Sequence, residues 1–226
     1  AGLLKLGVKK GDKVALLSEG RNAWIIGELA ILHTGAVNVP LSIKLEESND
    51  LIFRLVHSEA KYIMVSGSQL KKIRTIANAL SDIKSIIIFD EQVDYEPNEI
   101  SLTQLKQWGK DFLLKNPDAV INSSLSIQAD DIANISYTSG TTADPKGIML
   151  THRNYTANVE QALTLMTIPP TFRTLIILPL DHCFAHVAGF YSFMASGASV
   201  GTVQNGKTGL ETLKNIPANI KELQPD

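Results

Sequence analysis

Cysteine is almost missing: Cys183 is the only one in 226 residues. That excludes an internal disulfide and fits a reducing, cytoplasmic setting. Excess charge of either sign is missing too. Lys and Arg number 21 against 23 Asp and Glu, a formal charge of −2, so there is no basic footprint for nucleic acid. Short runs such as Lys9-Lys10 and Lys71-Lys72 read as solvated faces. No long hydrophobic run exists either; the longest, around Leu175 to Leu178, is strand-sized and far below the roughly 20 residues of a membrane span. No amphipathic anchor is evident, and peripheral membrane contact stays open. The chain has no initial Met and no signal-type segment, and Pro225-Asp226 directly follows a helix-like stretch. Both ends are expected to be cuts in a longer polypeptide. Truncation would leave apolar surface uncovered, so self-association is expected.

What is present is an ordinary globular composition, 44% hydrophobic and 19% charged, sufficient for a sizeable core. Short apolar runs alternate with helix-period stretches. Strands are expected at Val14–Leu17, Ala36–Val39 (closed by Pro40), Tyr62–Val65, Ile86–Phe89, Ile132–Tyr137 and Thr174–Leu178. Helices are expected over Arg21–Thr34 with Gly35 ending it, Glu46–His57, Gln69–Leu80, Ser101 to about Lys115, Thr151 to about Met166, and His186–Ser196. Ala198–Val203 and Leu210–Ile216 complete the order. Asp90–Ile100 reads as an acidic loop, and Asn116–Gln128 as a linker or long connection. Buried Ile and Val runs joined by helices predict an α/β fold, with largely parallel sheet or sheets flanked by helices.

One segment stands apart: Tyr137-Thr138-Ser139-Gly140-Thr141-Thr142-Ala143-Asp144-Pro145-Lys146-Gly147. Five of its eleven residues are Ser, Thr or Lys, and two are Gly. Small residues let backbone N–H groups approach an anion, hydroxyls add donors, and Lys146 adds a positive charge. It reads as a phosphate-handling loop, against the alternative of a Ser/Thr-rich surface turn. It is not a Walker loop, because Pro145 stands where the second Gly belongs and Gly147 where the metal-binding hydroxyl belongs.

The segment resembles the signature loop of the adenylate-forming (AMP-dependent synthetase/ligase) superfamily, [ST]-[ST]-G-[ST]-T-G-x-P-K-G, at nine of ten positions counted from Thr138. Ala143 departs from the family's Gly; if that position needs positive φ, Ala costs about 1 kcal/mol. The resemblance continues through Ile148-Met149-Leu150-Thr151-His152-Arg153-Asn154. It extends to Leu6–Val14, to Ala30–Leu41 and to Pro179-Leu180-Asp181-His182-Cys183-Phe184. Ser18–Trp24 and Leu178–Tyr191 look most like long-chain fatty acyl-CoA synthetases. On that resemblance residues 1–226 are an incomplete N-terminal domain, with room for an internal division near 116–128 and a C-terminal domain lying outside this chain.

The resemblance implies an acid–thiol ligase. A fatty acid or other carboxylic acid reacts with ATP to give an acyl-adenylate and pyrophosphate, and coenzyme A then displaces AMP. Two anions must meet, so positioning and charge neutralisation carry the catalysis. Ser139, Gly140, Thr141 and Thr142 are expected to cradle the β- and γ-phosphates, with Gly147 closing the loop and Lys146 neutralising the charge. Thr138 is the candidate contact to phosphate-bound Mg²⁺. His182 is expected beside the α-phosphate and the reacting carboxylate, and Phe184 in the acyl pocket; a hydrogen-bonded helix-start His and a core Phe are the alternatives. The adenine and ribose sites are expected outside this chain, so the isolated chain is expected to be inactive. Two other functions stay open: an acyl-AMP ligase or adenylation domain loading a carrier protein, and a non-catalytic nucleotide-binding relic marked by Ala143.

Weaker constellations point elsewhere. His182 and His186 have a zinc-compatible i, i+4 spacing without the Glu that a metalloprotease needs. Cys183 beside His182 lacks an orienting third group. Asp130-Asp131 more simply begins a strand, and Glu46-Glu47 a helix. His33 and His57 lie at helix ends and need no function, and Trp24 and Trp108 read as packing residues.

Overall fold

Val14, Ala15 and Leu16 are wholly buried, and a strand leaves water on both faces only inside a covered sheet. In the computed structural model of the chain, which describes residues 1–138, 145–206 and 208–226, they belong to β1 (Lys13–Leu17). With β2 (Val37–Leu41), β3 (Ala60–Val65), β4 (Ser85–Ile88), β5 (Glu99–Ser101), β6 (Ile132–Tyr137) and β7 (Gly147–Thr151) it forms a seven-stranded sheet ordered β5-β4-β3-β1-β2-β6-β7. Neighbours are parallel throughout except β6 and β7, which run antiparallel. α1 (Gly2–Leu6) precedes β1, and the connections carry α2 (Asn22–His33), α3 (Ser48–His57), α4 (Gly67–Thr75), α5 (Leu102–Lys115) and α6 (Ala119–Leu125).

This sheet belongs to the first of two units, Ala1–Ser18 with Ile26–His152. On one face Ala15, Leu17, Val39, Ile63, Val65 and Ile88 pack with Leu51 and Leu55 of α3 and Leu70 and Ile73 of α4. Asn38 lies between two of these core positions, so the period of two turns it to the other face. There its side-chain amide donates to Glu28 Oε1 at 3.0 Å, with both residues fully buried.

The second unit is Glu19–Ile25 with Arg153–Asp226. Its parallel pair β8 (Arg173–Ile176) and β9 (Ser199–Thr202) is accompanied by α7 (His152–Leu165), α8 (Cys183–Ala185), a π-helical turn over His186–Tyr191, α9 (Ser192–Ala195) and α10 (Gly209–Leu223). Among the described residues no helix is long and apolar enough to cross a membrane.

Local chemistry explains most boundaries. Gly35, at φ +69°, ends α2 in the left-handed conformation glycine tolerates. Ser101 Oγ accepts from Gln104 N at 3.0 Å and caps α5 as expected. Leu210–Ile216 lies in α10, which continues past Pro217 to Leu223, the helix expected before Pro225. Three readings change. The strand β2 runs through Pro40 to Leu41. Residues 116–128, expected as a connection, contain α6. The acidic loop ends in β5, a strand of three residues and thus too short to show a period.

A side chain pins β5. Arg74 of α4 donates from Nε to Glu99 Oε1 at 2.9 Å and from Nη2 to Oε2 at 2.6 Å, while Glu96 N donates to Oε2 at 2.9 Å. Burial opposes ionisation of Glu99, but these hydrogen bonds and the Arg74 charge outweigh it and lower the carboxyl's pKa. An unfolded Glu titrates at about 4.3, so the pair stabilises the fold above that pH and its contribution is lost as pH falls through the folded value. Arg74→Leu is expected to destabilise the chain by about 2 kcal/mol, less than for a fully buried pair because Arg74 is partly exposed. Denaturant titrations at neutral and acid pH check this: the difference between variant and parent should shrink once Glu99 is protonated.

Candidate functional site

Ser139, Gly140, Thr141, Thr142 and Ala143 lie outside the described residues, but both roots of their loop are described. The ladder of β6 and β7 closes on Tyr137 opposite Gly147. One further bond, from Thr138 N to Lys146 O at 3.1 Å, carries the pairing beyond the strands. Thr138 and Lys146 therefore sit face to face with exposed side chains, a hydroxyl and an ammonium at the mouth of one hairpin. A hydroxyl donor beside a compact cation suits a phosphate group.

Gly147 permits the close approach here. A Cβ on it would stand 3.0 Å from Ile135 Cγ2 and 3.4 Å from Tyr137 Cζ, so the Tyr137 ring lies against bare backbone. Burial raises the Tyr137 phenol above its usual pKa, so it keeps its proton near neutral pH. Its hydroxyl reaches α3, 2.8 Å from His57 Nδ1 and 3.3 Å from Arg54 O. Sequence reasoning passed over this pair because His57 follows Tyr137 in no motif and stands 80 positions away.

In the second unit, the structure brings His182 and Phe184 together on one turn. His182 is the N-cap of α8 with extended φ and ψ (−107°, 127°), and its ring makes no cap hydrogen bond. Its carbonyl accepts from Ala185 N at 2.9 Å, which leaves the ring exposed. Phe184 is 67% exposed, so core packing does not account for it.

His186 holds this turn from below. It is fully buried, with Nε2 2.9 Å from Leu180 O and Nδ1 3.0 Å from Tyr155 Oη. One tautomer satisfies both bonds: Nε2–H donates to the carbonyl, and Nδ1 accepts from the phenol. Both ring nitrogens are engaged, so the i, i+4 pair with His182 does not form a metal site. Trp24, Phe190 and Tyr191 complete an aromatic box around it, with ring centroids 5.3, 5.7 and 6.2 Å away. Trp24 is thus a packing residue, as its sequence context suggests. Among the described residues no group of three or more His, Cys, Asp or Glu side chains could hold a metal ion.

The model of the AMP-binding enzyme family matches residues 1–226 of the chain. A long-chain-fatty-acid–[acyl-carrier-protein] ligase, AEE15 of Arabidopsis thaliana, is 27% identical over 100% of the chain and 31% of its own length. A long-chain-fatty-acid–CoA ligase, ACSBG2 of Xenopus laevis, is 28% identical over 99% of the chain and 30% of its own length. The crystal structure of an anthranilate CoA ligase, AuaEII, in complex with anthranoyl-AMP superposes with a TM-score of 0.79 at 21% identity, covering 99% of this chain and 40% of that one. The α/β fold is therefore that of adenylate-forming enzymes, and the chain spans under a third of the length of these two curated relatives.

Replacing His186 by Phe keeps an aromatic ring and removes its hydrogen bonds to the Leu180 carbonyl and the Tyr155 phenol. The expected cost is about 2–3 kcal/mol, against about 1 kcal/mol for Tyr155→Phe, which keeps the His186–Leu180 bond. Urea unfolding of the two variants, followed by tryptophan fluorescence because Trp24 borders the site, checks the order.

Proposed function

Because the chain belongs to the AMP-binding enzyme family, we propose that the full-length polypeptide is an ATP-dependent acyl-CoA ligase acting on a medium- or long-chain fatty acid. The observation that carries this reading is the exposed Thr138–Lys146 mouth closing the β6–β7 hairpin, at the motif positions reserved for the nucleotide. In the first step a carboxylate oxygen attacks the α-phosphorus and pyrophosphate leaves. In the second, the coenzyme A thiol attacks the acyl carbonyl, AMP leaves, and the thiol proton passes to solvent.

Lys146 neutralises the β- and γ-phosphates, which Ser139, Gly140, Thr141 and Thr142 cradle by the family pattern, with Gly147 admitting the tight return. Neutralisation lets a second anion approach. The Thr138 hydroxyl is the candidate protein contact to Mg²⁺, which would neutralise part of the charge on the ATP phosphates. His182 presents its ring to the carboxylate and the α-phosphate, and Phe184 lines the acyl pocket. Residues 1–226 form an incomplete N-terminal domain of a cytoplasmic enzyme, and hydrophobic substrates would favour its peripheral contact with membranes. A second reading has its own support in the AEE15 relative: transfer of the acyl group to a carrier protein instead of coenzyme A.

Pyrophosphate release by the full-length polypeptide, assayed across a panel of carboxylic acids with and without coenzyme A, tests the reading. Release dependent on a fatty acid, with thioester formed when coenzyme A is added, is the expected result. Release without thioester supports carrier-protein loading, and silence across the panel overturns both in favour of a nucleotide-binding relic. Lys146→Ala should lower kcat/KM for ATP by about a hundredfold, and the 226-residue chain alone should not turn over.

The isolated chain is also expected to self-associate, because α10 exposes Leu210, Leu213 and Ile220 at 73%, 60% and 43%. Light scattering showing a monomer across a wide concentration range would count against this.

A further inference from the structure

The root of the loop has a mechanical problem. The register of β6 with its inner neighbour β2 is the pair Asn38–Asn134, three residues short of Tyr137. Beyond that pair β6 still lies alongside β2, with Ile135 in the central core and Tyr137 packed against it, while the β6–β7 ladder runs on to Tyr137 opposite Gly147. Thr138 and Lys146 sit at its far end. They stand one step past the last strand pair, Tyr137–Gly147, so a side-chain tie at Tyr137 adds to what the sheet supplies there.

Tyr137 supplies that tie. Its ring lies against Gly147 on the returning strand, so it touches both arms of the hairpin. Its hydroxyl bonds His57 Nδ1 at 2.8 Å and Arg54 O at 3.3 Å. The Arg54 guanidinium carbon stands 5.7 Å from the ring centroid, within cation–π range. His57 is itself held by stacking on Phe53, with centroids 5.2 Å apart and planes 18° apart. These four residues are anchored through α3, whose Leu51 and Leu55 lie in the central core. The hydrogen-bond chain has one consistent direction: His57 Nδ1–H donates to Tyr137 Oη, and Tyr137 O–H donates to Arg54 O. It uses a single imidazole N–H, which any side chain with a donor at that point reproduces.

We propose that Tyr137 and His57 are positioning residues for ATP, their hydrogen bond fixing Thr138 and Lys146 against α3 so that the mouth of the hairpin meets the triphosphate preformed. The proposal rests on the ATP-dependent function argued above, and neither residue touches the reacting atoms. Preorganisation of this kind acts on binding of the group that the positioned residues meet. Loss of the tie should therefore weaken nucleotide binding and leave the carboxylic acid's affinity alone.

The test uses the full-length polypeptide carrying Tyr137→Phe, His57→Ala or His57→Asn, the last keeping an N–H donor near the position of Nδ1. Two readouts are taken. In ATP–pyrophosphate exchange, Tyr137→Phe and His57→Ala should raise KM for ATP about fivefold or more with little change in KM for the acid, and His57→Asn should restore most of the loss. In amide hydrogen exchange, Thr138 N–H, which donates to Lys146 O, should lose protection in the first two variants and retain it in the third. An unchanged KM for ATP in a folded Tyr137→Phe protein overturns the proposal. So does equal behaviour of His57→Asn and His57→Ala, or unchanged protection at Thr138. If the parent polypeptide shows no exchange activity with any acid, the enzymatic reading fails by itself, and with it the role in ATP binding; the amide protection then reports only whether the tie holds the hairpin.

Discussion

A strand buried on both faces has only its two edges through which to satisfy its N–H and C=O groups, and this constraint governs the first unit. β1, with Val14 to Leu16 at zero exposure, is paired on both sides, by β2 and β3. Each added parallel strand requires a crossover, and except for the loop between β4 and β5 the crossovers carry the helices that cover the faces. The parallel order stops at β6. There the chain reverses into β7 by a hairpin, and that reversal delivers Lys146 and Thr138 to the end of the sheet. The proposed nucleotide contacts thus lie where the sheet changes its rule of pairing, outside the strand ends, where open α/β folds commonly bind ligands.

Much of this was legible because burial is written in composition. Runs such as Val14–Leu17 and Ile86–Ile88 have no polar alternation, and parallel, doubly covered strands are what such runs become. Ser101 and Gly35 marked helix boundaries through local chemistry that needs no tertiary context. The elements that escaped were those whose cause lies elsewhere in the chain. β5 is three residues long and held by Arg74 from α4. Pro40 suggested a stop, yet β2 continues to Leu41, opposite Leu17. The β6–β7 reversal itself was not foreseen, since a continuous apolar strand looks alike whichever way its partner runs.

The candidate site divides along the same line. Thr138, Lys146, Gly147, His182 and Phe184 were named from motif order, and the described parts of the molecule set them at a hairpin mouth and at a helix start. Motif order gave no hint of His57, which stands on a different helix, or of His186's role beneath His182. His186 had been noticed only for its spacing from His182, a pattern suggesting metal; instead its nitrogens serve a carbonyl and a phenol. A side chain that acts by supporting another leaves no periodic signature.

The π-helical turn over His186–Tyr191 carries a consequence for comparing this chain with others. Each π turn closes its hydrogen bonds one residue later than an α turn, so the segment holds one more residue than a plain helix of equal rise. A homologue with an unbroken α-helix here would align to it only across a one-residue gap. Positions counted forward from His182 would then be displaced before Ser192, and residues sharing a column would point in directions about a quarter-turn apart. Superposition of backbones, and not sequence order, is the sound way to carry residue equivalences through this helix.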